Sequence, residues 1–211
     1  MKNAHWYFDF VSPYCHLQSE VLGRFHGLAR IEPRPVLFAA LLDHHGQKGP
    51  AEIAPKKVQT FREVVWLAHR HGIALGLPEA HPFNPLPMLR LSIALGNDPD
   101  AIRALFRHVW VDGHLPTDEG PWSALCRSLG VDDPAAQIAR PEVKEQLRRN
   151  TASAIEAGVF GVPTLVVGEQ SFWGFGMTDA ALDHLRGDPL FESPLMRRAA
   201  ALPDGVHRPR S

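Results

Sequence analysis

The chain has 211 residues, 45% of them hydrophobic, which allows one large domain, or a domain carrying an insertion, around a sizeable core. A formal net charge of −1 excludes a global field that would draw the protein to nucleic acid or to an anionic lipid surface. Its two cysteines, Cys15 and Cys126, are too few for a secreted disulfide scaffold, and no apolar run approaches the roughly 18 residues of a membrane span. Asp9 interrupts the short apolar stretch near the N-terminus and no small-residue cleavage site follows, so a reducing cytoplasm is the expected location.

In chain order, Trp6–Val11 predicts a buried strand. Ser12 then suits an N-cap and Pro13 a first helical position, with Leu17, Val21, Leu22 and Phe25 at helical spacing and Gly27 past the end. Residues 31–37 (Ile-Glu-Pro-Arg-Pro-Val-Leu) read as a second strand whose prolines favour a sheet edge. From about Phe38 to Gly158 the signals are helical. Helices are expected over 61–71, 86–95, 99–110, 121–129 and 141–157. The stripe Ile102, Leu105, Phe106, Val109 and Trp110, with Asp98 as cap and Gly113 beyond, is the clearest of them. Strand character returns at Thr164-Leu165-Val166-Val167 and, after a turn, at Phe172-Trp173; a last helix over 179–186 is expected to close the regular structure. The tail from 203 is polar and contains proline, as an extended end would.

The order β-α-β, helical block, β-β-α resembles an α/β thioredoxin-like fold with an inserted all-helical domain. The expected division is 1–37 with 159–200 for the thioredoxin-like halves, 38–158 for the insertion and 201–211 for the tail. Such folds keep a C-x-x-C pair at the start of the first helix, and here the first position is Ser12 and the second Cys15. A dithiol couple needs two sulfurs, so Cys15 without a partner cannot cycle as one; it reads as a packed core cysteine, as does Cys126 on the apolar face of its helix. Ser12 has two readings: an ordinary helix cap before proline, or a hydroxyl that holds a foreign thiolate where the helix N-terminus favours negative charge. Gly161-Val162-Pro163-Thr164 also has two readings. Pro163 is either a trans proline opening a strand or a cis proline facing that helix, with the backbone of Val162 free for a peptide-like ligand. The 12 histidines form no H-E-x-x-H or Cys/His cluster, and a metal is not expected.

Several segments stand together in order: Phe8-Asp9-Phe10-Val11-Ser12-Pro13-Tyr14, Pro55-Lys56, His81-Pro82-Phe83-Asn84-Pro85-Leu86, 158–164 (Gly-Val-Phe-Gly-Val-Pro-Thr) and Phe172-Trp173-Gly174. Across about residues 5 to 190 they resemble the 2-hydroxychromene-2-carboxylate isomerase family, within the DsbA-like and kappa-class glutathione transferase group. The resemblance implies a glutathione cofactor and a homodimer, with no nucleic acid or membrane partner. It implies Ser12 as the catalytic residue that hydrogen-bonds the glutathione sulfur, with Lys56, Val162 and Pro163 also at the cofactor. It further implies that Lys56, Asn84 and Tyr14 lie near a small aromatic hydroxy-acid substrate. One position departs from the family: Gly176 stands where an Asp commonly meets the γ-glutamyl amine. The implied activity is isomerisation of 2-hydroxychromene-2-carboxylate, or of a similar aromatic-ring-cleavage product, by thiolate addition, ring opening and elimination. The alternatives are a kappa-like glutathione transferase, a DsbA-like thiol oxidoreductase and a non-catalytic thiol- or peptide-binding protein.

Overall fold

Strand β1 (Lys2–Phe8) is flanked on both sides, and its second half, Trp6-Tyr7-Phe8, is apolar and buried. In the computed structural model, which describes residues 1–203 and 205, the sheet order is β2-β1-β3-β4. β2 (Ala29–Pro35) runs parallel to β1, with Lys2 opposite Ala29 and Phe8 opposite Pro35. It is an edge strand, which is where Pro33 and Pro35 are tolerated. β3 (Thr164–Val167) lies antiparallel on the other side of β1, and β4 (Gln170–Trp173) pairs antiparallel with β3 through a two-residue turn in which Gly168 has φ +60°.

The first strand ends at Phe8 rather than at Val11. Asp9 leaves the sheet and its Oδ1 accepts the Val11 N–H at 3.0 Å, an Asx turn that bends the chain into α1 (Pro13–Val21). Phe10 is apolar because it packs against the rings of Phe8 and Phe106, not because it belongs to a strand. Helix α1 then tightens into a 3-10 turn (Leu22–Phe25) before Gly27, whose φ is +78°.

Between β2 and β3 the described residues form seven α-helices and no strand: α2 (Phe38–His44), α3 (Ala54–His71), α4 (Leu86–Ala94), α5 (Pro99–Trp110), α6 (Glu119–Ser128), α7 (Pro134–Ala139) and α8 (Pro141–Glu156). Helix α3 begins seven residues before the expected Phe61. Its first turns, Pro55-Lys56-Lys57-Val58-Gln59-Thr60, carry no apolar stripe, and Pro55 is compatible with a first turn whose N–H groups lack helical partners anyway. Helix α5 matches its expected bounds, with Asp98 accepting the N–H groups of Asp100 and Ala101 at 3.0 and 2.9 Å.

Helix α5 fastens the helical block to the sheet. Phe106 packs against Trp6, Phe8 and Phe10, and the Trp110 indole N–H donates to the Phe10 carbonyl at 2.9 Å. A buried chain of hydrogen bonds fixes α1 from beneath. The Trp6 indole N–H donates to Gln18 Oε1 at 2.8 Å, and Gln18 Nε2 donates to Thr178 Oγ1 at 3.0 Å. The Thr178 hydroxyl in turn donates to the Phe175 carbonyl at 2.6 Å. Each buried polar group left unpaired would cost about 1–3 kcal/mol, so the network holds α1 and the Phe175 segment in one relative position.

After α9 (Thr178–Arg186), which was expected to be the last helix, the chain forms a further one, α10 (Pro194–Ala200). Ser193 caps it by accepting the Met196 N–H at 3.2 Å, and Leu195 is exposed, so no buried stripe announces it in the sequence. Of the expected tail, only 201–203 and 205 are described; the remainder lies outside the described residues. No helix among the described residues is long and apolar enough to cross a membrane.

Candidate active site

The end of β1, the start of α1 and the segments around Val162 and Phe175 form one wall of a cavity of about 700 Å³. Helix α3 and the α3–α4 connection form the facing wall, with Lys56, Lys57, Phe61, His81 and Phe83. The volume is in the range of pockets for small organic ligands.

On the first wall, Ser12 caps α1. It is 7% exposed, its Oγ accepts the Cys15 N–H at 3.4 Å, and its own N–H donates to the Asp9 carbonyl at 3.1 Å. The long Oγ contact is a weak cap, which leaves the hydroxyl proton free to donate to something in the cavity. The Val162–Pro163 peptide bond is cis. Among the described residues the N–H and C=O of Val162 have no hydrogen-bond partner, although Val162 lines the cavity. An extended ligand laid against Val162 would satisfy both groups, as a peptide adding to a sheet edge does.

Cys15, one turn further into α1, is fully buried and is not part of the cavity wall. Burial pushes its thiol far above the ordinary cysteine range, and the nearby Asp9 charge adds to that, so it stays protonated and inert. Cys126 is also buried, with its thiol pushed up to about 11 by desolvation. Neither cysteine forms a disulfide.

Residues 5–186 match the family described as DSBA-like thioredoxin domain. The chain belongs to this family. Among curated relatives, the DSBA-like domain is 27% identical over 183 residues to a 2-hydroxychromene-2-carboxylate isomerase of Sphingobium xenophagum, covering 82% of this chain and 92% of that protein. It is 28% identical over 207 residues to glutathione S-transferase kappa 1 of Homo sapiens, covering 89% of this chain and 92% of that one. A solved structure of a 2-hydroxychromene-2-carboxylate isomerase superposes with a TM-score of 0.73 at 23% identity, over 90% of this chain and 99% of the other, which shows the shared fold.

The structure of the DSBA-like domain brings Ser12, Tyr14, Lys56 and Val162 to the one cavity. Lys56 is exposed, whereas Lys57 Nζ is engaged with the His81 carbonyl at 2.7 Å. The Tyr14 hydroxyl donates to Glu63 Oε2 at 2.8 Å, and burial, reinforced by Glu63, raises its pKa well above the usual phenol range. Pro163 is buried behind Val162 and accepts the Gly174 N–H at 2.8 Å, so it shapes the wall without lining it. Asn84 is not among the lining residues: it is exposed, and its Oδ1 accepts the Leu86 N–H at 3.1 Å at the start of α4. Gly176 lines the cavity, and a Cβ added there would meet nothing within 4 Å.

Four features of the wall went unread in the sequence. His81 Nε2 lies 2.9 Å from the Val11 carbonyl; the carbonyl can only accept, so Nε2 carries the proton and Nδ1 is left a buried acceptor without a partner among the described residues. Burial holds this imidazole neutral by lowering its pKa. Phe160 and Trp173 meet edge to face at 4.8 Å and are both partly exposed, an aromatic edge beside Val162. Gly161 is required beneath them, because a Cβ would come within 2.5 Å of Trp173 Nε1. Asp9 also belongs to the wall. The available signal was an acid inside an otherwise apolar segment, three residues before Ser12.

Proposed function

We propose that this DSBA-like protein is a glutathione-dependent isomerase acting on 2-hydroxychromene-2-carboxylate or a similar bicyclic product of aromatic-ring cleavage. The observation that carries the reading is the pairing, in one cavity, of a helix N-terminus capped by a serine hydroxyl with an unpaired Val162 backbone. That combination suits a thiol-bearing tripeptide, and the chain offers no reactive sulfur of its own there.

Glutathione, when bound, supplies the nucleophilic thiol that adds to a conjugated substrate and later leaves it. The Val162 N–H and C=O pair with the cysteinyl backbone of the tripeptide. The Ser12 hydroxyl donates to the sulfur, and the N-terminus of α1 adds a favourable dipole, which together lower the thiol pKa. Lys56 pairs with the carboxylate of the substrate, and Phe61, Phe83 and Trp173 offer faces for its aromatic ring. The Tyr14 hydroxyl, held by Glu63, bounds the same space. Asn84 would have to leave its capping contact to take part. The same reading carries a homodimer in the cytoplasm.

A second reading, a kappa-like transferase, has in its favour the 28% identity to the human kappa enzyme over 89% of the chain. It shares the thiol site and differs only in whether the adduct is released. The test is to incubate the purified protein with glutathione and 2-hydroxychromene-2-carboxylate and follow the ultraviolet spectrum and the mass of the products. Isomerisation gives a product of unchanged mass and regenerates glutathione. Release of a stable glutathione adduct supports the transferase, and turnover without glutathione overturns both.

A further inference from the structure

Asp9 has no exposed surface, yet it forms part of the wall that holds Ser12. Its carboxylate accepts the N–H groups of Val11 and Phe38 at 3.0 and 2.9 Å, and among the described residues no cation pairs with it. Its carbonyl accepts the Ser12 N–H at 3.1 Å, so the acid and the hydroxyl belong to one tight turn. The two N–H bonds account for an acid as a brace for the turn. They do not account for an unpaired carboxylate set into the wall of the cavity that is to stabilise a second anion.

A thiolate at Ser12 would put a second negative charge in the same largely apolar cavity as the Asp9 carboxylate, and two neighbouring acids in such a place share a proton rather than ionising twice. We propose that Asp9 takes up the proton released when a thiol bound at Ser12 ionises. This rests on the reading that the cofactor is a small thiol. The S–H bond breaks with its electron pair remaining on sulfur, and an O–H bond forms on the carboxylate. The pair of acid and thiol carries one negative charge before and after, and the proton stays at hand for when the thiol is re-formed.

Other titratable groups share the surroundings. From α1 there are the Cys15 thiol and the Tyr14 hydroxyl, both of which stay protonated; from α3, Lys56, Lys57 and Glu63; from the segment before α3, Lys48 and Glu52; and from the α3–α4 connection, His81, held neutral. None of them hydrogen-bonds the Asp9 carboxylate. Burial pushes the Asp9 carboxyl up to about 7, with the N–H bonds opposing, so near neutral pH it can both accept and return a proton.

The test counts protons rather than turnover. Glutathione is titrated into the protein in a weakly buffered solution containing a pH indicator, and thiolate is read in parallel from its ultraviolet absorbance. At pH 7.5 a carboxyl near 7 is about three-quarters ionised, so the wild type should release only about a quarter of a proton per thiolate formed; at pH 6.0, where Asp9 is about nine-tenths protonated, about 0.9. In Asp9→Asn the ratio should be close to one at both pH values. The wild-type pH series stands by itself should that variant fold poorly. A wild-type ratio near one at both pH values overturns the inference while leaving the thiol site intact. Binding without any thiolate signal also overturns it. Failure of glutathione to bind at millimolar concentration overturns the reading beneath it as well.

Discussion

The two walls of the cavity are made differently. The sheet-side wall presents backbone: the N-terminus of α1 and the unpaired N–H and C=O of Val162, with a small hydroxyl at Ser12. The helical wall presents side chains, Lys56, Phe61, His81 and Phe83, from α3 and the connection that follows it. Backbone groups are fixed by the fold and tolerate sequence change, so the first wall suits the part of the chemistry that stays constant, the thiol. Side chains can be exchanged without altering the fold, so the second wall suits the part that sets specificity, the substrate. Perturbing one wall should therefore leave the other's ligand largely unaffected.

Ser12→Ala should have the largest effect. Loss of the donor to the sulfur should lower turnover by about 100-fold or more, the scale for removing one donor from a developing anion. The melting temperature should shift little, because the Ser12 cap contact is long at 3.4 Å. Initial rates and a thermal melt check both, and a rate within twofold of wild type removes Ser12 from the chemistry. Gly176→Asp sharpens the same wall in the opposite direction. There is open space for the side chain, and one charge-assisted bond to the amine of glutathione should tighten its Kd about tenfold, read by calorimetric titration. An unchanged Kd would mean that the γ-glutamyl end does not pass Gly176.

On the helical wall, Lys56→Gln should raise KM for a carboxylate substrate about three- to tenfold and leave the glutathione Kd within twofold, since Lys56 is exposed and its charge is screened. Equal loss of both affinities would dissolve the distinction between the walls. Behind the sheet-side wall, Cys15→Ser should change kcat less than threefold, because the thiol is buried and protonated. Abolished activity would mean that the protein uses its own sulfur.

The sheet-side wall was largely legible in the sequence, because its parts are short-range: a cap residue, a proline at the first helical position, a glycine-proline entry to a strand. The second strand was recognisable as an edge from Pro33 and Pro35 alone. The helical wall was not. The first two turns of α3 carry Lys56 and Lys57 without an apolar stripe, so neither the true start of the helix nor its approach to Ser12 could be inferred from periodicity. His81 reaches Val11 across 70 residues, a contact that no local pattern encodes. Asn84 shows the converse: its short-range motif was visible, yet the structure engages its side chain in starting α4. Asp9 was visible as an irregularity in an apolar run, but only burial beside Ser12 gives that irregularity a chemical meaning.

The most direct measurement is a crystal structure of the protein soaked with glutathione. The account predicts the tripeptide along Val162, with its sulfur about 3–3.5 Å from the Ser12 hydroxyl. A sulfur bonded to Cys15, or a glutathione bound away from the start of α1, would contradict it.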